Sequence, residues 1–253
     1  MKHCSHKVAV LALTVLVHTA VADMVLESPA AQVGLLELYT SEGCSSCPPA
    51  DRWISKLKDN ERLWQEFIPL AFHVDYWDYI GWKDRFASRA YSQRQRRYEA
   101  EGSLRTVYTP GFVYNGQEWR NWFGLRSTKF PRGGEAGVLR AVLGGDEIRI
   151  AFAPSADERQ ELRVTVALLG VGLQTQVRAG ENRGRTLLHD FVVLGMSEKK
   201  LQQAESLYTT VLTLPESNID AQRYALAVWV SGLERQAPLQ ATGGWLPATT
   251  ATH

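Results

Sequence analysis

Cys44 and Cys47, separated by Ser45 and Ser46, follow a short apolar run directly and open a helix-like segment. A pair at this spacing suits thiol–disulfide exchange, in which one thiolate attacks a client sulfur and the other releases it. A strand-to-helix turn favours the thiolate, because unpaired N–H groups and the helix dipole converge there. Cys44, nearer the loop, reads as the more exposed attacking group; Cys47, one turn into the helix, reads as the resolving group. Ser45 and Ser46 either donate to sulfur or cap the helix. The competing reading is an inert structural disulfide, which explains the pair poorly, since so short a loop removes little chain entropy.

His73 and Asp75 end a second apolar run, Phe67 to Val74. The carboxyl ends of neighbouring parallel strands open on one crevice. His73 could therefore move protons for Cys47, with Asp75 beside it, or be satisfied locally as a buried histidine. It could also complete a Cu(I) site with Cys44 and Cys47, because soft thiolates and imidazole suit that ion. Met24 and Met196 are remote in sequence, which weighs against copper. Otherwise the pair needs no cofactor beyond its own redox-active disulfide.

These residues need elements to position them. A strand is expected over 33–40, then a helix over 46–59 with Ala50, Trp53, Ile54 and Leu57 on one face. Pro48 and Pro49 are tolerated only in a first turn. With the run at 67–74, this makes a parallel βαβ unit. The insert 75–88 carries Tyr76, Trp77, Tyr79, Trp82 and Phe86, either walling a cleft for an unfolded client or packing as its own cluster. A polar helix follows over about 89–101, with Arg94, Arg96 and Arg97 reading as a solvated face. Asn115-Gly116 signals a hairpin between 112–114 and 117–122. A last short helix is expected over 135–143. Beyond Gly145 the pattern turns to alternation, with strands expected near 148–152, 161–168, 175–179, 186–194, 208–214 and 223–230. That spacing suggests a β-sandwich, with a loose tail after Trp245.

The first residues read as a secretory signal: Lys2 and Lys7, an apolar stretch from Val8 to Val17, then Ala20-Val21-Ala22 as a cleavage site. The protein is thus expected to be periplasmic or secreted, with no membrane attachment after cleavage. The remaining 231 residues carry 26 basic and 27 acidic side chains, a balance that gives nucleic acid or anionic membrane no hold. An oxidising compartment favours a disulfide or redox couple over a cytosolic metal site. No phosphate loop, Gly-x-Ser-x-Gly elbow or His-Glu-x-x-His helix is present. The expected partner is a protein thiol or disulfide client.

The order of these signals resembles a thioredoxin fold, with Thr109-Pro110 matching that family's cis-proline, which sets a peptide groove opposite the disulfide. More specifically, Thr40-Ser41-Glu42-Gly43-Cys44-Ser45-Ser46-Cys47-Pro48-Pro49-Ala50-Asp51, the stretch Ala71 to Tyr79, and Val107 to Pro110 closely resemble a secreted bacterial thioredoxin-like family known only as a domain of unknown function. The likeness spans about 33–230 and implies a fold and a redox-like centre, with no established reaction. The expected organisation is a signal peptide over 1–22, an α/β thioredoxin-like domain over 31–145, and a smaller all-β, sandwich-like domain over 146–247. Two departures from ordinary thioredoxins stand out. The Ser-Ser dipeptide matches neither the reducing nor the oxidising members, whose potentials differ by roughly 150 mV. Leu38 occupies the place of the family's buried acid, and Glu37 lies one step back, on the other strand face. Glu37 is then a candidate for proton transfer or simply an acid near a strand edge.

Overall fold

The computed structural model describes residues 23–122, 130–156 and 160–247. The expected signal segment lies outside them. Fifteen strands accompany two α-helices among the described residues. The first half holds β1 (Met24–Glu27), β2 (Gly34–Thr40), α1 (Pro48–Ser55), β3 (Phe67–His73), α2 (Arg89–Ala100), β4 (Gly111–Tyr114) and β5 (Gln117–Glu118). Then come β6 (Gly137–Gly144), β7 (Glu147–Pro154), β8 (Leu162–Val171), β9 (Leu173–Gln176), β10 (Thr186–His189) and β11 (Val192–Lys200). Finally β12 (Gln202–Ala204), β13 (Leu207–Thr213), β14 (Arg223–Gly232) and β15 (Pro238–Trp245) complete the chain. Single 3-10 turns occupy Lys56–Asp59 and Asp75–Ile80. No helix of the described residues is long and apolar enough to cross a membrane.

The βαβ unit forms as the apolar runs dictate: β2 and β3 pair in parallel, in register from Gly34↔Phe67 to Thr40↔His73, with α1 between them in sequence. The Asn115-Gly116 turn joins β4 and β5, with both residues at positive φ. The fold as a whole is a different matter. An α/β thioredoxin-like domain followed by a smaller all-β domain is not the architecture; the chain is predominantly β. The βαβ strands belong to one eight-stranded sheet, ordered β15-β14-β8-β11-β3-β2-β4-β5. The seam is β11 against β3, parallel, with Val192 opposite Ala71 and the Ala71 N–H donating to Phe191 O at 2.8 Å. An open β3 edge would leave a row of unpaired backbone groups, and β11 covers it.

Side-chain alternation explains the layering. Along β8, Leu162, Val164, Val166 and Leu168 pack against a five-stranded sheet, ordered β1-β6-β7-β13-β12. Ala167 and Leu169 face the other way, into a core shared with Leu35 and Tyr39 of β2, Phe72 of β3 and Tyr91 and Tyr98 of α2. A third core lies between α1 and the opposite face of β2, from Leu36, Leu38, Ala50, Ile54 and Phe112. β8 and β14 are covered on both faces, so burial outruns the half-buried pattern expected of a free-standing sandwich.

The helix expected over 135–143 is strand β6. Leu139, Ala141 and Leu143 are buried in alternation, a period of two set by pairing with β7 and β1. The run expected over 186–194 breaks at Asp190 and Phe191 into β10 and β11. The strands β1, β12 and β15 were not anticipated; the first and last are recruited through pairing with β6 and β14.

Candidate functional site: a covered disulfide over a buried ionisable cluster

Cys44 and Cys47 form a disulfide, with Cα atoms 5.4 Å apart. The turn is wound by local backbone bonds, Cys44 N–H to Ser41 O and Cys47 N–H to Cys44 O, each 3.2 Å. Cys47 is the N-cap of α1, and Pro48 and Pro49 fill positions where no N–H is required. The Ser46 hydroxyl lies 3.3 Å from the Cys44 sulfur. Cys44 is only 1% exposed and Cys47 is fully buried, so the expected exposure of Cys44 does not hold. Ser45 and Ser46 alone of this turn are open to solvent.

Two segments cover the sulfurs' turn. One is the aromatic insert. Trp77 donates from Nε1 to Thr109 Oγ1 at 2.7 Å, and its Cβ would stand 3.0 Å from a Cβ placed on Gly43. Trp82 donates to Glu42 Oε2 at 2.8 Å. Trp77 thereby bridges the cysteine turn and Thr109-Pro110, whose peptide bond is cis. Phe86 is buried, whereas Tyr79 is 82% exposed, so the insert packs as structure with one aromatic ring left in water. The second cover is the β9–β10 hairpin. Asn182 Nδ2 donates to Glu42 O at 2.8 Å and to Cys44 O at 2.9 Å, and Glu181 Oε2 accepts from the Ser45 N–H at 3.0 Å.

Beside the turn lies a buried cluster of Glu42, Asp51, His73, Asp84 and His189. His73 Nδ1 and Asp84 Oδ2 are 2.7 Å apart, and Asp84 also accepts from the Glu42 and Phe86 N–H groups. Burial favours neutral His73, yet the carboxylates of Asp84, Asp51 and Glu42 together outweigh it and raise the imidazole pKa. Burial likewise works against the Asp84 carboxylate, but His73 and the two amides hold its pKa below the ordinary range. Asp51, bonded to the Thr40 hydroxyl at 2.8 Å, has its pKa raised by burial against the pull of His189 and His73. The rings of His73 and His189 meet edge to face, with centroids 4.9 Å apart. His189 Nε2 and Glu42 Oε1 approach to 3.2 Å but are too poorly aligned to hydrogen-bond. His73 Nε2, both His189 nitrogens and Glu42 Oε1 therefore have no hydrogen-bond partner. Buried polar groups left without a partner call for an explanation, and four of them gather here beside the disulfide.

Other expected site residues lie elsewhere. Glu37 is fully buried on the sheet face opposite α1. It accepts from Arg94 Nε (2.7 Å) and NH2 (2.9 Å), Tyr39 (2.8 Å) and Tyr98 (2.6 Å). Arg94 is fully buried rather than on a solvated face, while Arg96 and Arg97 are exposed. The stripe Tyr91, Arg94, Gln95, Tyr98 has helical inward spacing, the signal that marks Arg94 as buried. Asp75 turns to α2, where the Ser92 hydroxyl donates to it. For the Cu(I) set of Cys44, Cys47 and His73, the two sulfurs are bonded to each other. No group of three His, Cys, Asp or Glu side chains among the described residues is arranged to hold a metal ion.

Five residues of the site were not singled out from the sequence: Glu42, Asp84, Glu181, Asn182 and His189. The alternation Leu187 in, Leu188 out, His189 in is the one cue, and only for His189.

A comparison with curated proteins returns no match. Two solved structures share the fold. One is the crystal structure of protein AGR_C_4864 from Agrobacterium tumefaciens, 23% identical, with a TM-score of 0.60 over 88% of this chain and 98% of that one. The other is HBP35 of Porphyromonas gingivalis, 15% identical, with a TM-score of 0.56 over 89% of this chain and 80% of that one. At these identities the likeness concerns the fold alone. A family model for proteins of unknown function, DUF1223, matches residues 35–231, which include the cysteine turn, the buried cluster and the covering hairpin. The chain belongs to this DUF1223 family.

Proposed function

We propose that this protein is an exported thiol–disulfide oxidoreductase acting on protein thiols through Cys44 and Cys47. The observation that carries the reading is the pairing of a short-loop disulfide at the start of α1 with a buried cluster of ionisable groups beside it. In the reducing direction for the pair, a client thiolate attacks Cys44 sulfur and forms a mixed disulfide. The Cys44–Cys47 bond breaks, and its electron pair stays on Cys47. A thiolate there is buried and needs a proton. Asp51, one turn along α1 from Cys47, and His73, both in the buried cluster, are the candidate donors. A second client thiolate then attacks the client's own sulfur and releases Cys44, leaving the client oxidised and the pair reduced. The reverse sequence reduces a client disulfide. Thr109 and Pro110, tied to the turn through Trp77, would wall the groove.

The test is trapping. Cys47→Ser should accumulate mixed disulfides through Cys44, and Cys44→Ser should not. Unchanged thiol exchange in both variants would overturn the reading. The near-complete burial of both cysteines favours one alternative, a non-catalytic binding module in which the disulfide is only a staple. A potential below about −300 mV, the range of structural disulfides, would support that alternative.

A further inference from the structure

The β9–β10 hairpin is built differently from the rest of the fold. Its two strands pair only with each other and join neither larger sheet. Its base is anchored, with Leu173 and Leu187 buried and His189 inside the ionisable cluster. Its tip, residues 177–185, is held together by its own bonds: Val177 N–H to Arg185 O, Gly184 N–H to Val177 O, and Arg185 to the Asn182 side-chain oxygen. Gly180 and Gly184 take the positive φ values that the tip's bends require. The tip therefore has the means to move as one piece without breaking either large sheet.

That tip grips the cysteine turn through polar contacts. Asn182, itself fully buried, spans the carbonyls of Glu42 and Cys44 with one amide nitrogen. Glu181, exposed to water, takes the Ser45 N–H. Its carboxylate, held against the residue next to Cys44, opposes a thiolate there by like charge. Gly180 packs against Ile80 and Trp82, which closes the tip onto the aromatic insert.

We propose that the tip of the β9–β10 hairpin is a removable cover on the Cys44–Cys47 disulfide, with Asn182 and Glu181 as positioning residues that latch it. Its purpose rests on the oxidoreductase reading: a client, or another element docking at the hairpin, must lift the tip before sulfur can be attacked. With the latch closed, Cys44 is shielded and its thiolate disfavoured; with the latch open, the Glu181 carboxylate is withdrawn and the sulfur is exposed.

The experiment needs no client. The mature protein is exposed to tris(2-carboxyethyl)phosphine, which takes up oxygen from water as the disulfide becomes two thiols, and the thiols are counted by alkylation over time. Asn182→Ala should raise the rate constant about tenfold, as expected for two lost hydrogen bonds. Glu181→Ala, at an exposed position that leaves folding alone, should raise it severalfold and should lower the pKa of the Cys44 thiol in the reduced protein. Wild-type rates in both variants would overturn the cover. So would an Asn182→Ala acceleration fully accounted for by a lowered melting temperature, with Glu181→Ala unchanged in rate and thiol pKa. Faster reduction in both variants without mixed disulfides from Cys47→Ser would support the cover and sink the oxidoreductase reading.

Discussion

Glu37 and Arg94 meet as a two-point ion pair, 2.7 and 2.9 Å, with both side chains at 0% exposure. The pair ties β2 to α2, and Arg94 reaches onward to Gln236 at 2.9 Å, so three distant stretches converge on one guanidinium. Tyr39 and Tyr98 donate to the same carboxylate, which satisfies its remaining acceptor positions. Burial and the neighbouring Glu37 carboxylate raise the pKa of both phenols well above the ordinary range, so they remain donors at any working pH. Among the described residues, this network contrasts with the His73 cluster: its carboxylate is fully hydrogen-bonded, where the cluster leaves buried polar atoms without a partner.

Removing one partner strands a buried charge. Arg94→Met is expected to cost about 3–5 kcal/mol of stability, the range for breaking buried pairs. Glu37→Gln should cost at least as much, because Arg94 cannot shed its charge and the amide NH2 turns a donor toward other donors. Chemical denaturation of the two variants checks the order; equal and small losses would mean that the pair is loosely held.

The His73 cluster makes stability depend on pH with a definite sign. Folding raises the pKa of His73, so its contribution is complete below the unfolded value of about 6.5 and fades as pH rises through the folded one. Asp51 is also raised, so the folded state loses ground from about pH 4 upward, in the same direction. Asp84 is lowered, and its contribution is present above about pH 4 and fades only as pH falls further, through its folded value. The wild type should therefore be more stable near pH 5 than near pH 8. Asp51→Asn should gain relative to wild type at pH 8, since position 51 then carries no charge to be buried. Denaturation midpoints at the two pH values give the answer directly.

The disulfide itself should hold little stability. Its loop is so short that chain entropy allows about 2 kcal/mol at most. Asn182 and the α1 backbone fix the turn independently of the sulfur bond. Reduction, or the Cys44→Ala/Cys47→Ala double variant, should lower stability by no more than that amount. A loss of 4 kcal/mol or more would favour a structural staple.

The local elements could be read from residue types because their causes are local. Two apolar runs and a proline-started helix define β2, α1 and β3, and Asn115-Gly116 defines the hairpin. The long-range partners had no such trace. Nothing in Phe67 to His73 tells that Val192 will lie beside Ala71, so the single eight-stranded sheet was out of reach. The segment Gly137 to Leu143 carries apolar residues that suit either period, and only pairing with β7 decided for strand. The cysteine turn was legible, but its cover was not. Asn182 acts through one amide nitrogen on carbonyls 138 and 140 positions away, and a lone asparagine between two glycines reads as an ordinary turn.

The reduction potential of the Cys44–Cys47 pair, equilibrated against glutathione and dithiothreitol, bears most directly on whether the pair is an exchange centre. An exchange centre predicts a value above about −300 mV, within reach of physiological thiol partners. A value below that range would contradict it and leave the disulfide as a staple beneath its hairpin.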